Sequence, residues 1–393
     1  MTSPAPQPLS RAALLGLALL AVVPFLNGLT GEFTYDDKVI VRDNARLSSP
    51  STVSEIFTTH YFGGALTSGT AYRPVVLLTY AVQRWIHGTR VFWFHLVNVA
   101  LHAGVTCLLA AWLVGLGLPR GPCVATAALF AVLTIHVEAV TGIVGRAEVL
   151  AALLVFLSAR LWSQATDGER LRALPYAGCL AAFTAGVFVK ENAVVVPGVI
   201  GLGELVRGGE GSDLFRKTRD VVRRKRAALA GLLLPVVLLF AVRRLVLKGF
   251  LISKEAGIFD LENPLVAQAP GLRIGNAAYL LWRYVAKAIV PVGLSADHSA
   301  YALPLAASLR SPRAWLSLAG LAAAVALAAF FRVRRPLVAF GAALFAGTFL
   351  PVANLLFPIG TIYAERLLYL PSAGLILVAI GLLLPARREV PAP

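Results

Sequence analysis

Acidic residues are scarce in this 393-residue chain, with 20 Asp and Glu against 36 Lys and Arg and a formal net charge of +16. Charge of either sign is thin, at 14% of residues, while 58% are hydrophobic and the mean hydropathy is +0.75. Too little polar surface is left to coat a soluble globule of this size, so the composition excludes a water-soluble domain and points to a polytopic membrane protein. In a soluble chain the basic excess would suggest nucleic acid. Here much of it sits in short connections between apolar runs, the positive-inside pattern of a membrane protein. The expected counter-charges are therefore anionic lipid head groups or a lipid phosphate, with no nucleic acid. Cysteine is also nearly lacking. Cys107, Cys123 and Cys179 are odd in number, lie in or beside apolar segments and have no metal spacing, which excludes a disulfide framework and reads as small core residues. There is no Walker glycine loop, no dinucleotide fingerprint, no zinc pattern, no internal repeat and no low-complexity tract.

What the chain does have is apolar length. A bilayer core about 30 Å thick asks for about 20 residues of helix per crossing. Candidate runs lie at 12–29, 91–118, 122–140, 147–162, 174–189, 193–206, 227–246, 314–331, 336–357 and 367–385. The first has only Arg11 before it and no small-x-small cleavage site, so it is expected to be an uncleaved first helix rather than a signal peptide. Two weaker segments, 74–86 and 277–292, are interrupted by charge. Each crossing reverses the side of everything after it. Residues 207–226 hold eight Lys or Arg against three acids and must lie in the cytoplasm. That holds if both chain ends are inside and 74–86 and 277–292 lie along the membrane rather than cross it. Arg332, Arg334 and Arg335, and then Arg387 and Arg388, fall inside by the same count. The expectation is an all-α polytopic membrane protein of about ten spans, with interfacial helices in its outer loops. It is expected as one integral-membrane domain over 1–393, with an outer loop at 30–73, the basic cytoplasmic loop at 207–226 and an outer loop region at 247–312.

This parity gathers ionisable residues on the outer face: Asp36 and Asp37 in the first loop, His136 and Glu138, Lys190 and Glu191, and Glu365 and Arg366, each at the end of a span. Such residues at apolar segment ends cost free energy unless paired or solvated, so their gathering suggests a shared polar cavity. The adjacent carboxylates of YDD, residues 35–37, suit a general base with a neighbour that orients it or changes its pKa; a solvated acidic loop is the competing reading. His136 and Glu138 are two apart and do not face each other on a helix, which favours substrate hydrogen bonding over a metal pair, with a satisfied helix-end histidine as the alternative. Lys190 has either snorkelled to the interface, found an anion, or paired with Glu191. Arg366, opening a helix after Glu365, suits bidentate phosphate binding or simply an interfacial position. Arg73 in YRP and Arg146 in GRAE are further outer-face candidates.

The ordered series YDD with Asn44 downstream, YRP at 72–74, FHLVNVALH at 94–102, LFAVLTIHVEAVTGIVGRAE at 129–148, VKENA at 189–193, ENP at 262–264, LSADHSAY at 294–301 and ERLLYLPSAG at 365–374 resembles the membrane part of the transmembrane and tetratricopeptide-repeat O-mannosyltransferases. The resemblance runs from about residue 30 to 380 and implies a GT-C glycosyltransferase fold. It also implies a polyprenyl-phosphate-linked sugar donor and a catalytic carboxylate in the first outer loop. By similarity Asp36 is the base, with Asp37 beside it. Arg73, Arg146, Lys190, Glu191, Glu365 and Arg366, with His136 and Glu138, are expected to bind the substrate or its phosphate. Two departures stand out. Where that family often has HPIH this chain has Leu133-Thr134-Ile135-His136, so only the second histidine carries over. The repeats that follow the membrane part there are not in this sequence, so acceptor recognition is expected to differ or to need a partner.

The expected activity is inverting transfer of a sugar, mannose first, to a hydroxyl on the outer face of the cell's inner or plasma membrane. Ser or Thr of a protein is the expected acceptor. A glycan or lipid acceptor is one alternative, and a non-catalytic carrier of lipid-linked sugars is another. No cofactor is required by any motif, and a divalent cation stays open.

Overall fold

The computed structural model describes residues 8–63, 71–168, 170–207, 213–247, 261–298 and 302–385. Arg387 and Arg388 lie outside the described residues, as do parts of the loops expected at 30–73, 207–226 and 247–312. Among the described residues the chain is helical, without an extended strand. It divides into two compact units, residues 1–132 with 137–257 and residues 133–136 with 258–393.

The first unit contains α1 (Arg11–Val22), α2 (Val53–Thr58), α3 (Pro74–His87), α4 (Val91–Gly115), α5 (Arg120–Val132), α6 (Val137–Thr141), α7 (Arg146–Ala165), α8 (Ala173–Val189), α9 (Val196–Arg207), α10 (Leu214–Gly231) and α11 (Leu233–Leu247). Ser10 caps α1, its hydroxyl accepting from the Ala13 N–H at 3.2 Å. α4 carries His95, Asn98, His102 and Thr106, three or four residues apart and therefore on one face; all four are buried. That polar seam is where the rest of the unit is fastened. Asn98 donates to the carbonyls of Gly142 and Ile143, and His102 meets the Ala131 carbonyl at 3.0 Å.

The first loop is not a solvated tether. Ile40, Val41, Leu47 and Ile56 are essentially inaccessible and pack with Val76, Leu77 and Tyr80 of α3 and Phe94 of α4. Burying each such side chain is worth about 1.5–3 kcal/mol, so the loop folds as a small body of its own. Polar contacts lock it in place. Arg84 of α3 donates to the carbonyls of Val41 and Asn44, while Arg46 donates to Thr59 and to the carbonyls of His60 and Tyr61. α3 itself has 14 residues, about 21 Å at the helical rise, short of a bilayer core.

The second unit holds α12 (Pro270–Ile289), α13 (Pro312–Arg334), α14 (Pro336–Phe349) and α15 (Ser372–Leu383). α12 starts at Pro270, earlier than the segment expected from residue 277, and runs unbroken through Arg283 and Lys287. α14 and α15 approach so closely that a Cβ at Gly374 would lie 2.4 Å from the Phe345 nitrogen. Only glycine fits there, the usual basis of tight helix pairing in membranes. The ENP motif is a turn: the Asn263 side chain accepts from the Leu265 N–H and donates to Asn354 and to the Ile359 carbonyl.

Among the described residues five helical stretches are long and apolar enough to cross a membrane: Arg11–Thr30, Val91–Gly115, Arg146–Ala165, Leu214–Leu247 and Pro312–Arg334; counting 120–132 with 134–141 as one bent span makes six. Ala173–Val189, Pro336–Val352 and Ser372–Leu383 are apolar but shorter. The protein is thus an all-α integral membrane protein. Several of the ten apolar runs read from the sequence form helices well under 20 residues, as with the 12-residue α9, because 3-10 turns at Glu191–Val195 and Leu350–Val352 interrupt them.

Candidate active site

Asp36 and Asp37 are neighbours with opposite fates. Asp37 is 1% exposed, and its carboxylate accepts from the Val144 N–H at 2.8 Å and from the backbone N–H and hydroxyl of Thr34 at 3.2 and 3.3 Å. Burial pushes the Asp37 carboxyl up, against the N–H donors of Val144 and Thr34 that lower it. Asp36 is exposed and its carboxylate has no hydrogen-bond or ion-pair partner among the described residues. Tyr35, immediately before the pair, has φ of 41°, a left-handed conformation that costs a non-glycine residue about 1–2 kcal/mol. The Val144 N–H is offered by a tight turn in which a Cβ at Gly145 would sit 2.3 Å from the Ala139 carbonyl oxygen, so that position is closed to larger residues.

Cations and carboxylates form two linked groups in the same unit. Lys190 is ion-paired with Glu148, whose other oxygen accepts from Asn192 at 3.2 Å. Glu191 accepts from Arg73 at 3.1 Å, from Arg243 at 3.0 Å and from the Tyr72 N–H at 3.3 Å. Lys190 therefore pairs with Glu148 rather than with Glu191, because side chains one residue apart point to different sides. Arg146 is fully buried. It donates to Asn98 at 2.8 Å, to Thr79 at 3.2 Å and to the Phe94 carbonyl at 3.1 Å, and lies over the Tyr80 ring at 4.5 Å. These contacts tie α7 to α3 and α4 and use Arg146 to hold the site's frame. Glu138 is half-buried in the first turn of α6.

In the second unit His136 is fully buried. Its Nε2 lies 2.8 Å from the Ser372 hydroxyl and its ring 4.5 Å from that of Tyr369, which joins two motifs 236 residues apart. Glu365 is 2% exposed, accepts from the Ser295 N–H at 3.1 Å and meets His298 Nε2 at 3.2 Å. Arg366 is half-buried in the 3-10 turn Glu365–Leu368 and does not open a helix as expected; α15 begins only at Ser372.

No family model matches the sequence and no solved structure matches it. Curated proteins do. The chain is 28% identical over 403 residues to Protein O-mannosyl-transferase TMTC4 of Mus musculus, covering 92% of this chain and 54% of that protein. It is 30% identical over 399 residues to Protein O-mannosyl-transferase TMTC1 of Homo sapiens, covering 93% and 45%. To Protein O-mannosyl-transferase Tmtc3 of Drosophila melanogaster it is 26% identical over 431 residues, covering 93% and 45%. The resemblance seen in the sequence motifs is thus upheld: the chain is similar to protein O-mannosyl-transferases over more than nine-tenths of its own length. It spans about half the length of the curated relatives it matches.

Sequence reasoning missed Glu148, Arg243, Asn192, His298 and Ser372. Four of them were in view, Asn192 inside VKENA among them. Glu148 closes the GRAE motif, His298 sits inside LSADHSAY and Ser372 inside ERLLYLPSAG. Arg243 had no signal beyond being a basic residue inside an apolar helix, which is itself a marker of buried pairing. Among the described residues no group of three or more His, Cys, Asp or Glu is placed to hold a metal ion.

The Glu191 pairing predicts an acid-sensitive step. Burial would raise its carboxyl, but the Arg73 and Arg243 guanidiniums hold it down to about 2 from the ordinary 4.5. A depressed folded-state pKa contributes stability that is complete above the unfolded value and is lost as pH falls through the folded one. Glu191→Gln is therefore expected to lower unfolding stability in detergent by about 1–3 kcal/mol at neutral pH. The gap to wild type should close as the pH falls below 4.5. A gap constant between pH 7 and pH 3 would contradict the pairing.

Proposed function

We propose that the protein transfers mannose from a polyprenyl-phosphate carrier to a Ser or Thr hydroxyl of a protein on the outer side of the membrane. It would do so in a GT-C fold of about ten spans. The observation that carries this reading is the exposed, unpartnered Asp36 beside a buried, anchored Asp37 on a folded loop of a chain related to protein O-mannosyl-transferases. Asp36 takes the proton of the acceptor hydroxyl as its oxygen attacks the anomeric carbon. The new C–O bond forms opposite the carrier phosphate, the old C–O bond breaks, and its electron pair leaves on the phosphate, inverting the anomeric centre. Asp37 positions the loop rather than reacting.

Arg73, Lys190 and Arg243 outnumber Glu148 and Glu191, and the surplus positive charge suits a lipid phosphate whose charge grows as the sugar departs. His136, Glu138, Glu365 and Arg366 are assigned to sugar and acceptor binding. In a deletion strain, mass spectrometry of envelope glycoproteins and glycolipids is expected to show hexose lost from protein Ser and Thr only. Loss confined to glycolipids would replace the protein acceptor with a lipid or glycan.

A further inference from the structure

A strongly charged surface lies outside the proposed site, on α10. Asp213 caps it, accepting from the Arg216 N–H at 2.9 Å, and from there to residue 226 the sequence runs LFRKTRDVVRRKR. Arg216, Arg219, Arg223, Arg224 and Arg226 are exposed. So are three large apolar side chains, Leu214 at 55%, Phe215 at 79% and Val222 at 50%. With about 100° per residue, Leu214, Phe215, Val221 and Val222 share one arc of about 120°, and Arg216, Arg219 and Arg223 fill the arc beside it. An exposed apolar arc edged by arginines has nothing to gain from water on both sides.

Length decides where this helix goes. Leu214 to Leu247 is a 34-residue helical stretch, about 51 Å if straight, against a hydrocarbon core of about 30 Å. The apolar part from residue 227 onward already fills that core, so residues 214–226 lie beyond it. The helix also breaks where this division falls, at Lys225, with φ of −115° and ψ of 15°. The break is pinned from within the protein. Lys225 pairs with the buried Glu204, whose carboxylate also accepts from Trp162 at 2.9 Å, from Thr166 at 3.3 Å and from Arg207 at 3.2 Å. The direction of α10 is thus set by α7 and α9 before any lipid is bound.

We infer that residues 214–224 lie flat in the head-group layer of the adjoining leaflet, with Phe215 and Val222 at the acyl boundary and the arginines on the phosphates of anionic phospholipids. The charge complementarity is direct: between Asp213 and Arg226 the only other acid is Asp220, and it lies 4.0 Å from Arg219. Amphipathic helices with arginines flanking an aromatic arc bind such surfaces through apolar burial plus attraction to anionic lipid. This surface is independent of the transfer reaction and stands if that reaction proves different.

The test is hydrogen exchange on the full-length protein in nanodiscs of phosphatidylcholine alone and of phosphatidylcholine with phosphatidylglycerol. Amides of 214–224 are expected to exchange about tenfold more slowly with the anionic lipid, an effect that high salt reverses. The variant Arg216→Gln/Arg219→Gln/Arg223→Gln is expected to lose that lipid dependence while exchange in α7 and α11 stays as in wild type. Equal exchange in the two nanodiscs overturns the proposal. So does protection in phosphatidylcholine alone that appears only when an acidic polypeptide is added, which would make the partner a protein.

Discussion

Asp36→Asn is expected to lower mannosyl transfer by about 10²- to 10⁴-fold, the range a positioned general base contributes, with the unfolding midpoint unchanged. The structural basis for the second half of that statement is specific. Asp36 is exposed and has no partner among the described residues, so the amide replaces nothing that holds the fold. Asparagine keeps the shape and the solvent contact and loses only the ability to take a proton. Asp37→Asn is the instructive contrast. Its carboxylate accepts three protein donors, from Val144 and Thr34, and an amide there turns one acceptor into a donor aimed at an N–H. That variant is expected to lose stability together with activity, by about 1–3 kcal/mol, because a buried N–H is left unsatisfied. Transfer assays beside thermal unfolding in detergent separate the two. Asp36→Asn with full activity, or with a collapse of stability equal to that of Asp37→Asn, would exchange their roles.

The second large effect concerns Lys190 and Glu148, which are 7% and 3% exposed and paired with each other. Removing one member of a buried ion pair strands the other charge, at a cost of about 3–5 kcal/mol, so Lys190→Met and Glu148→Met alone are each expected to destabilise the protein strongly. The double variant strands neither and is expected to recover most of that loss. What it does not recover is the cation. If Lys190 faces the carrier phosphate, the double variant folds but binds the donor about tenfold or more weakly, as befits loss of a charged hydrogen-bond donor. Denaturant unfolding and the KM for the donor give the two numbers. A double variant with wild-type KM would make the pair a purely structural clamp between α7 and the turn after α8.

Which parts of this were legible in the sequence follows from how far apart the partners are. The Asp36 and Asp37 pair was visible, and so was a signal that sorts them. Thr34 stands three residues ahead of Asp37, near enough for its N–H and hydroxyl both to donate to the Asp37 carboxylate, while the Asp37 N–H donates to the Thr34 carbonyl. The inward anchor at Val144 lies 107 residues away and nothing local announces it. Arg146 reads as an outer-face cation because it follows a glycine at a span end. Its partner Asn98 sits 48 residues upstream on the polar seam of α4, and only the packing of α7 on α4 reveals that the guanidinium is consumed. Helix lengths failed for a different reason. Hydropathy counts residues without seeing 3-10 turns: the turn Glu191–Val195 takes the start of the run at 193–206, and the turn Leu350–Val352 ends α14 inside the run at 336–357. The membrane class itself was plain from composition, since no arrangement of so few charged residues covers a soluble surface.

Asp36 as the base of a lipid-phosphate-dependent transfer is tested most directly by one reconstitution. The purified chain in detergent or vesicles is given polyprenyl-phosphate-mannose and a polypeptide rich in Ser and Thr. Mannose on the polypeptide and free polyprenyl phosphate are then followed together in wild type and in Asp36→Asn. The expected result is one equivalent of lipid phosphate released per mannose transferred, with an inverted anomeric linkage, and neither product from Asp36→Asn. Donor moved across the vesicle without release of lipid phosphate, or release that continues undiminished in Asp36→Asn, would contradict it.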